Sequence, residues 1–222
     1  MIAAFFDVDF TLLPTTSVER LFIRQLWRCG GLEMRDLIRA GVSILSASSS
    51  SSEGLKSQTP VPWIKSNKAY LAGKSAADLE ALVKPFILEV VFPRLSPKAI
   101  ETVEWHRRQE HTIVLLTGSL DLLMRPLADH LGITVLLCTR LEQHQGVYTG
   151  RWVPPYPYGE GKRILLEQFA RSNGVDLIQS YAYGDSLSDL PMLSAVGHPR
   201  VVNAGWRMRR LAERRGWTQL RW

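Results

Sequence analysis

Asp7 and Asp9 stand in Phe6-Asp7-Val8-Asp9-Phe10-Thr11-Leu12, and Asp185 and Asp189 in Gly184-Asp185-Ser186-Leu187-Ser188-Asp189. Between these segments come Thr117-Gly118-Ser119 and Gly159-Glu160-Gly161-Lys162-Arg163. Carboxylates held close repel one another, and their pKa values rise unless a cation compensates. A hard divalent ion meets that need, and magnesium keeps waters and takes phosphate oxygens as further ligands. Thr117, with the amides of Gly118 and Ser119 at a helix N-terminus, suits an anion, and Lys162 supplies a second positive charge. A carboxylate nucleophile, an ion, a lysine and amide donors together describe phosphoryl transfer through an aspartyl-phosphate. Asp-x-Asp or Gly-x-Lys alone says little; the ordered set is specific.

Short apolar runs predict strands at 2–6, 112–116, 133–138, 179–183 and 199–202. Apolar residues throughout, rather than in alternation, mark strands buried on both faces. Helical spacing fills the intervals 120–131, 161–172, 187–195 and 206–215. Strand and helix in alternation predict a doubly wound α/β fold with a parallel sheet. Asp7 and Asp9, Thr117 and Asp185 then fall just past the carboxyl ends of successive strands, where such sheets bind ligands.

The first interval is too long. A parallel crossover needs roughly a dozen residues, yet 102 residues separate Asp9 from Thr112. Helical spacing at 18–45 and 75–91 predicts a small helical domain over residues 15–95, inserted into a core formed by 1–14 and 96–222. The five serines Ser48–Ser52 read as a loop, and Gln145-Gly146 as a hairpin tip. Pro97–Gln109 begins the return to the sheet.

Composition excludes disorder and a collagen-like chain, and no run of about 18 apolar residues spans a membrane. The first residues meet Asp7 without a basic segment and do not read as a signal peptide. Cys29 and Cys138 match no metal spacing and suit free thiols in the cytoplasm. The formal charge of +6 falls entirely on residues 200–222, which carry seven Arg and one acid; the rest holds 20 bases and 20 acids. That tail reads as a solvated helix face, with an anionic membrane surface at Arg207–Trp222 as the other use; no nucleic-acid partner is expected. Trp206, Trp217 and Trp222 are expected to cover the sheet edge, and the five histidines to pack or face solvent.

On these motifs the chain resembles the haloacid dehalogenase-like hydrolases, in particular their phosphoserine phosphatase-like IB subfamily. The likeness extends through Asn67-Lys68-Ala69-Tyr70-Leu71-Ala72-Gly73, Pro126–Ile133, Thr139–Glu142 and Asp189–Leu193. The resemblance implies a helical cap in the insertion and a magnesium-dependent phosphatase acting on a small phosphate monoester. Asp7 is then the nucleophile and Asp9 the general acid and base. Asp7, the Asp9 backbone carbonyl and Asp185 hold Mg2+, with Asp189 behind Lys162 or a metal-bound water. Thr117, Gly118, Ser119 and Lys162 hold the phosphoryl group, with Ser188 beside it.

Two departures bear on the substrate. Phosphoserine phosphatases place a glutamate where this chain has Thr16, with Glu19 three residues on, and no carboxylate-clamping arginine is identifiable. Phe10 replaces a small residue, and Asn203-Ala204-Gly205 replaces Asn-Pro-Asp. A phosphoserine phosphatase proper, or a phosphotransferase of the same mechanism, are the near alternatives. A receiver domain is disfavoured because its phosphorylated Asp follows the third strand. The distant alternative is a non-catalytic protein binding anions or a membrane surface through the tail.

Overall fold

The computed structural model describes residues 1–36, 38 and 68–222. The five-serine run, Asn67 and the end of the helical pattern expected after Val18 lie outside the described residues. Strand β1 (Ala3–Phe6) is buried along its whole length. Ala4 and Phe6 enter one apolar core and Ala3 and Phe5 the other, as the two-residue period of a strand requires. The remaining strands are β2 (Thr112–Leu120), β3 (Val135–His144), β4 (Val147–Val153), β5 (Tyr181–Gly184), β6 (His198–Val202) and β7 (Thr218–Leu220). Their spatial order is β4-β3-β2-β1-β5-β6-β7, and every neighbouring pair is parallel except β3 and β4.

Helices cover both faces. On the Phe6 side lie α1 (Val18–Arg28), α2 (Ala76–Phe86), α3 (Pro97–Arg108) and α4 (Asp121–His130). On the Phe5 side lie α5 (Glu160–Asn173), the single turn α6 (Leu190–Leu193) and α7 (Trp206–Arg214). This is the doubly wound sheet that the alternation predicts. Ser17 caps α1 by accepting from the Arg20 amide, Ser75 caps α2 through Asp78, and Pro97 opens α3 where an amide has no partner to lose. Gln145 and Gly146 turn the β3–β4 hairpin at φ 49° and 74°, the left-handed pair that tight hairpins favour.

Between β1 and β2 the chain leaves the sheet and comes back. The Ser96 amide donates to the Leu12 carbonyl at 3.0 Å. Within that excursion, α1 and α2 bury Val18, Phe22, Leu26, Leu79, Val83 and Phe86 against the core that holds Phe6.

Several elements differ from the expectation. Helix α1 stops at Arg28, before Gly30-Gly31, which favour no helix. The pattern at 187–195 divides into a 3-10 turn (Leu187–Asp189) and α6, because Pro191 has no amide to carry the ladder through. Strand β2 runs on to Leu120 through a register shift against β3, so Gly118 and Ser119 end a strand and α4 begins only at Asp121. The three-residue β7 is too short to show a period. In the tail, α7 buries Met208 and Ala212; Trp217 and Trp222 pack inward, but Trp206 is 64% exposed, with the Arg207 guanidinium 5.2 Å from its ring centre. No helix among the described residues is long and apolar enough to cross a membrane.

Candidate active site

Strand β1 sits between β2 and β5, so the residues that follow these three strands share one edge. The Asp7 amide extends the ladder by donating to the Tyr183 carbonyl at 3.0 Å. The chain then turns sharply, with Phe10 at φ 61°, a conformation that costs a bulky residue about 1–3 kcal/mol. Asn203 Nδ2 donates to the Phe10 carbonyl at 3.3 Å, and its Oδ1 accepts from the Trp222 amide at 2.9 Å. The ring of Trp222 stacks on Tyr183, 5.6 Å between centroids. The far end of the chain therefore braces the turn that carries Asp7 and Asp9.

Lys162, on the first turn of α5, is 3% exposed and reaches two carboxylates: Asp7 at 2.8 Å and Asp189 at 2.5 Å. Burial opposes its charge, yet Asp189 and Asp7 hold the ammonium well above the usual lysine range. Asp189 is fully buried. Its other oxygen accepts from the amides of Asp185 and Ser186 and from the Ser186 hydroxyl, at 3.0–3.2 Å. Burial pushes the Asp189 carboxyl up, but Lys162 and these donors keep it below the ordinary value. Gly184 makes that close approach possible, since a Cβ there would lie 2.6 Å from Asp189 Cβ. Burial pushes the Asp7 carboxyl up to about 7 against the pull of Lys162, and the charges of Asp189 and Asp9 push the same way. One lysine among these acids leaves surplus negative charge. Asp7, Asp185 and Asp189 each bring a carboxylate oxygen within 4.8 Å of the others, an all-oxygen set suited to a hard cation.

Asp9 is held differently. Its Oδ1 accepts from the Val18 amide at 2.8 Å, and its Oδ2 from the Ser119 hydroxyl at 2.8 Å. The Ser119 amide donates to Thr117 Oγ1 at 3.2 Å, and the Gly118 carbonyl accepts from Thr139 at 2.7 Å. The amides expected at a helix N-terminus thus belong to the end of β2, and the Ser119 amide and hydroxyl both turn to protein partners. Ser188 hydrogen-bonds Ser186 at 2.7 Å. Asp7, Asp185, Asp189 and Lys162 come together; Asp9, Ser119 and Thr117 form a second group joined to them through the backbone of Asp7–Asp9.

Two features escape sequence reading. Glu19 accepts from Lys68 at 2.6 and 2.7 Å and from the Tyr70 hydroxyl at 2.7 Å. Lys68 has no exposed side-chain surface, and burial with the Glu19 charge pushes the Tyr70 phenol well up. Tyr156 is the other: its hydroxyl lies 3.8 Å from where a Cβ on Gly118 would stand. Burial, then the negative charges of Glu19, Tyr158 and Asp9, push its phenol up as well. Tyr156 and Tyr158, alternating with Pro155 and Pro157, carried no period, and a lone lysine gives no hint of a partner 49 residues away.

Known proteins resemble this chain to different depths. The chain is 32% identical over 222 residues to a probable phosphatase of Mycobacterium tuberculosis, covering 98% of this chain and 74% of that one. It is 31% identical over 220 residues to a phosphoserine phosphatase of the same organism, covering 97% and 69%. A crystal structure of a Bordetella pertussis protein of unknown function superposes with a TM-score of 0.80 at 29% identity, covering 98% and 97%. Residues 4–194, from β1 to just past α6, match the haloacid dehalogenase-like hydrolases. That span contains Asp7, Thr117, Lys162 and Asp185 on their successive elements, and the chain belongs to that family.

Proposed function

We propose that this hydrolase is a magnesium-dependent phosphatase that cleaves a small phosphate monoester through an aspartyl-phosphate on Asp7. The observation that carries the reading is Lys162 held between Asp7 and Asp189, with the oxygens of Asp7, Asp185 and Asp189 gathered at one strand edge. In the first half-reaction an Asp7 oxygen bonds to phosphorus while the bond to the alcohol oxygen breaks, and Asp9 gives that oxygen its proton. In the second, a water oxygen bonds to phosphorus, Asp9 takes the water's proton, and the bond to Asp7 breaks to release phosphate. Thr117, the Gly118 amide and Lys162 face the phosphoryl oxygens, and Asp189 keeps Lys162 charged and in place. Asp7, Asp185 and the Asp9 carbonyl would hold Mg2+, which neutralises the phosphate and the crowded acids when bound.

Residues 15–95 act as a cap over a core of 1–14 and 96–222, in a cytoplasmic enzyme. The Ser96–Leu12 hydrogen bond supports those limits. The relative named phosphoserine phosphatase makes phosphoserine a natural trial substrate. Glu19 argues against it: Lys68 and Tyr70 already satisfy that carboxylate, and Thr16 offers no charge to an ammonium. An ester whose alcohol bears no ammonium fits these residues better.

Phosphate release is measured across small esters, phosphoserine and glycerol phosphate among them, with Mg2+ or EDTA and beside Asp7→Asn. Release that needs Mg2+ and falls about 10⁴-fold or more in the variant is expected. Undiminished release by Asp7→Asn would dispose of the aspartyl-phosphate.

A further inference from the structure

The Ser119 hydroxyl joins the end of β2 to Asp9. The residue is 1% exposed and donates to Asp9 Oδ2 at 2.8 Å across 110 residues of sequence. Its backbone is fixed as well, the Gly118–Ser119 peptide being gripped by Thr139 on its carbonyl and by Thr117 on its amide. We propose that Ser119 is a positioning residue for the Asp9 carboxyl in proton transfer, and that it takes no part in holding the phosphoryl group. This rests on the reading of Asp9 as general acid and base.

The two donors on Asp9 are chemically unlike. The Val18 amide only donates, so Oδ1 remains an acceptor whatever the protonation state of the carboxyl. A hydroxyl rotates and both donates and accepts, so the Oδ2 side tolerates a proton that must arrive and leave in every turnover. Together they fix the carboxyl at both oxygens. Ser119→Ala removes the contact on Oδ2 and loosens the carboxyl about its Cβ–Cγ bond. Val18 opens α1, the first helix of the inserted region, while Ser119 belongs to the core. The acid is thus held from the inserted region and from the end of β2.

A purely structural serine and a positioning serine differ in what they do to different esters. A weakly acidic alcohol leaves only with a proton, whereas a nitrophenolate leaves without much help, so misplacing the acid harms the first far more. The experiment measures kcat and KM for wild type, Ser119→Ala, Asp9→Asn and the double variant. The substrates are aryl phosphates graded from p-nitrophenyl to phenyl, and the best alkyl ester of the panel above. Ser119→Gly stands in if the alanine variant does not fold, and thermal melts are run on each.

For the alkyl ester, Ser119→Ala is expected to lower kcat by about 10–100-fold. The loss shrinks steadily toward p-nitrophenyl phosphate, KM stays within about twofold, and in the Asp9→Asn background the substitution costs nothing further. Equal losses across the series, a loss expressed in KM, or full additivity with Asp9→Asn overturns the assignment while leaving the phosphatase reading intact. A wild-type protein that releases phosphate from none of these esters overturns both.

Discussion

Lys162 and Lys68 are both buried lysines, and their surroundings separate the proposed reactive centre from a structural pair. Lys68 meets a single carboxylate, Glu19, at 2.6 and 2.7 Å, and the Tyr70 phenol completes the group. Charge there is matched one to one. Lys162 meets Asp7 and Asp189 together, with an oxygen of Asp185 within 4.8 Å of both. Acids outnumber the lysine, and the Asp7 carboxyl is raised by burial and by its neighbours. A matched pair is closed; an unmatched group still has room for a cation, and a phosphate can follow the cation in. Burial alone does not distinguish them. The count of charges around each ammonium does.

The largest expected effect sets the two lysines against each other. Lys162→Met is expected to lower kcat/KM by about 10²–10³-fold, as loss of a donor to developing negative charge does elsewhere. Lys68→Met, by contrast, stays within about tenfold of wild type per folded molecule. Both lose stability, Lys162→Met on the order of 3 kcal/mol or more because it leaves the buried Asp7 and Asp189 without their cation, and Lys68→Met less because Glu19 is only partly buried. Rates for the p-nitrophenyl ester and denaturant melts of both variants measure this. Similar activity losses would erase the distinction between the two sites.

A smaller effect comes from the cation. At about one hundred times its dissociation constant, Mg2+ should stabilise wild type by roughly 2.7 kcal/mol. The same stabilisation should persist in Lys68→Met and disappear in Asp185→Asn. Thermal melts with Mg2+ and EDTA read this without reference to turnover. A shift that survives Asp185→Asn would move the ion elsewhere.

The smallest effect belongs to a buried polar group that carries no charge pair. His106 is fully buried; its rings' Nδ1 lies 2.8 Å from His111 Nδ1, and its Nε2 lies 2.8 Å from the Tyr183 hydroxyl. Burial first, then His111 and Arg200, lower its pKa from 6.5 to about 3. The unfolded chain therefore binds the proton more readily, so this contribution is present above pH 6.5 and is lost as pH falls toward 3. Between pH 7.5 and 5 the loss amounts to about 2 kcal/mol. His106→Phe should flatten the decline in melting temperature over that range. An equally steep decline in the variant would assign it to other groups.

Much of the site was legible because its motifs are local. Asp7 with Asp9, Thr117 with Gly118, and Asp185 with Asp189 each lie within a few residues of one another at or just past a strand end, and the apolar runs before them show which strand carries each. The sheet was legible for the same reason, apart from β7, whose three residues show no period, and the extension of β2 past Thr117. That extension matters chemically, since it moves Gly118 and Ser119 off a helix N-terminus. The π turn Ile87–Val91 was not legible either, since helical spacing continues through it; the break after Arg28 had its signal in Gly30-Gly31, which the apolar spacing alone passes over.

Residue types, their order and the period of the apolar runs thus determined which acids and which lysine reach the carboxyl edge of the sheet. Strand ends convert local sequence directly into position, because a strand buried on both faces can lie in only a few ways. Only the tertiary structure decided which side chain faces which. Ser119 meets Asp9 across 110 residues, Lys68 meets Glu19 across 49, and Asn203 meets Phe10 across 193. A hydrogen bond is made or lost over a few tenths of an ångström. Separations of that kind are set by how the crossovers and the inserted helices pack, and the spacing of residues along the chain does not record them.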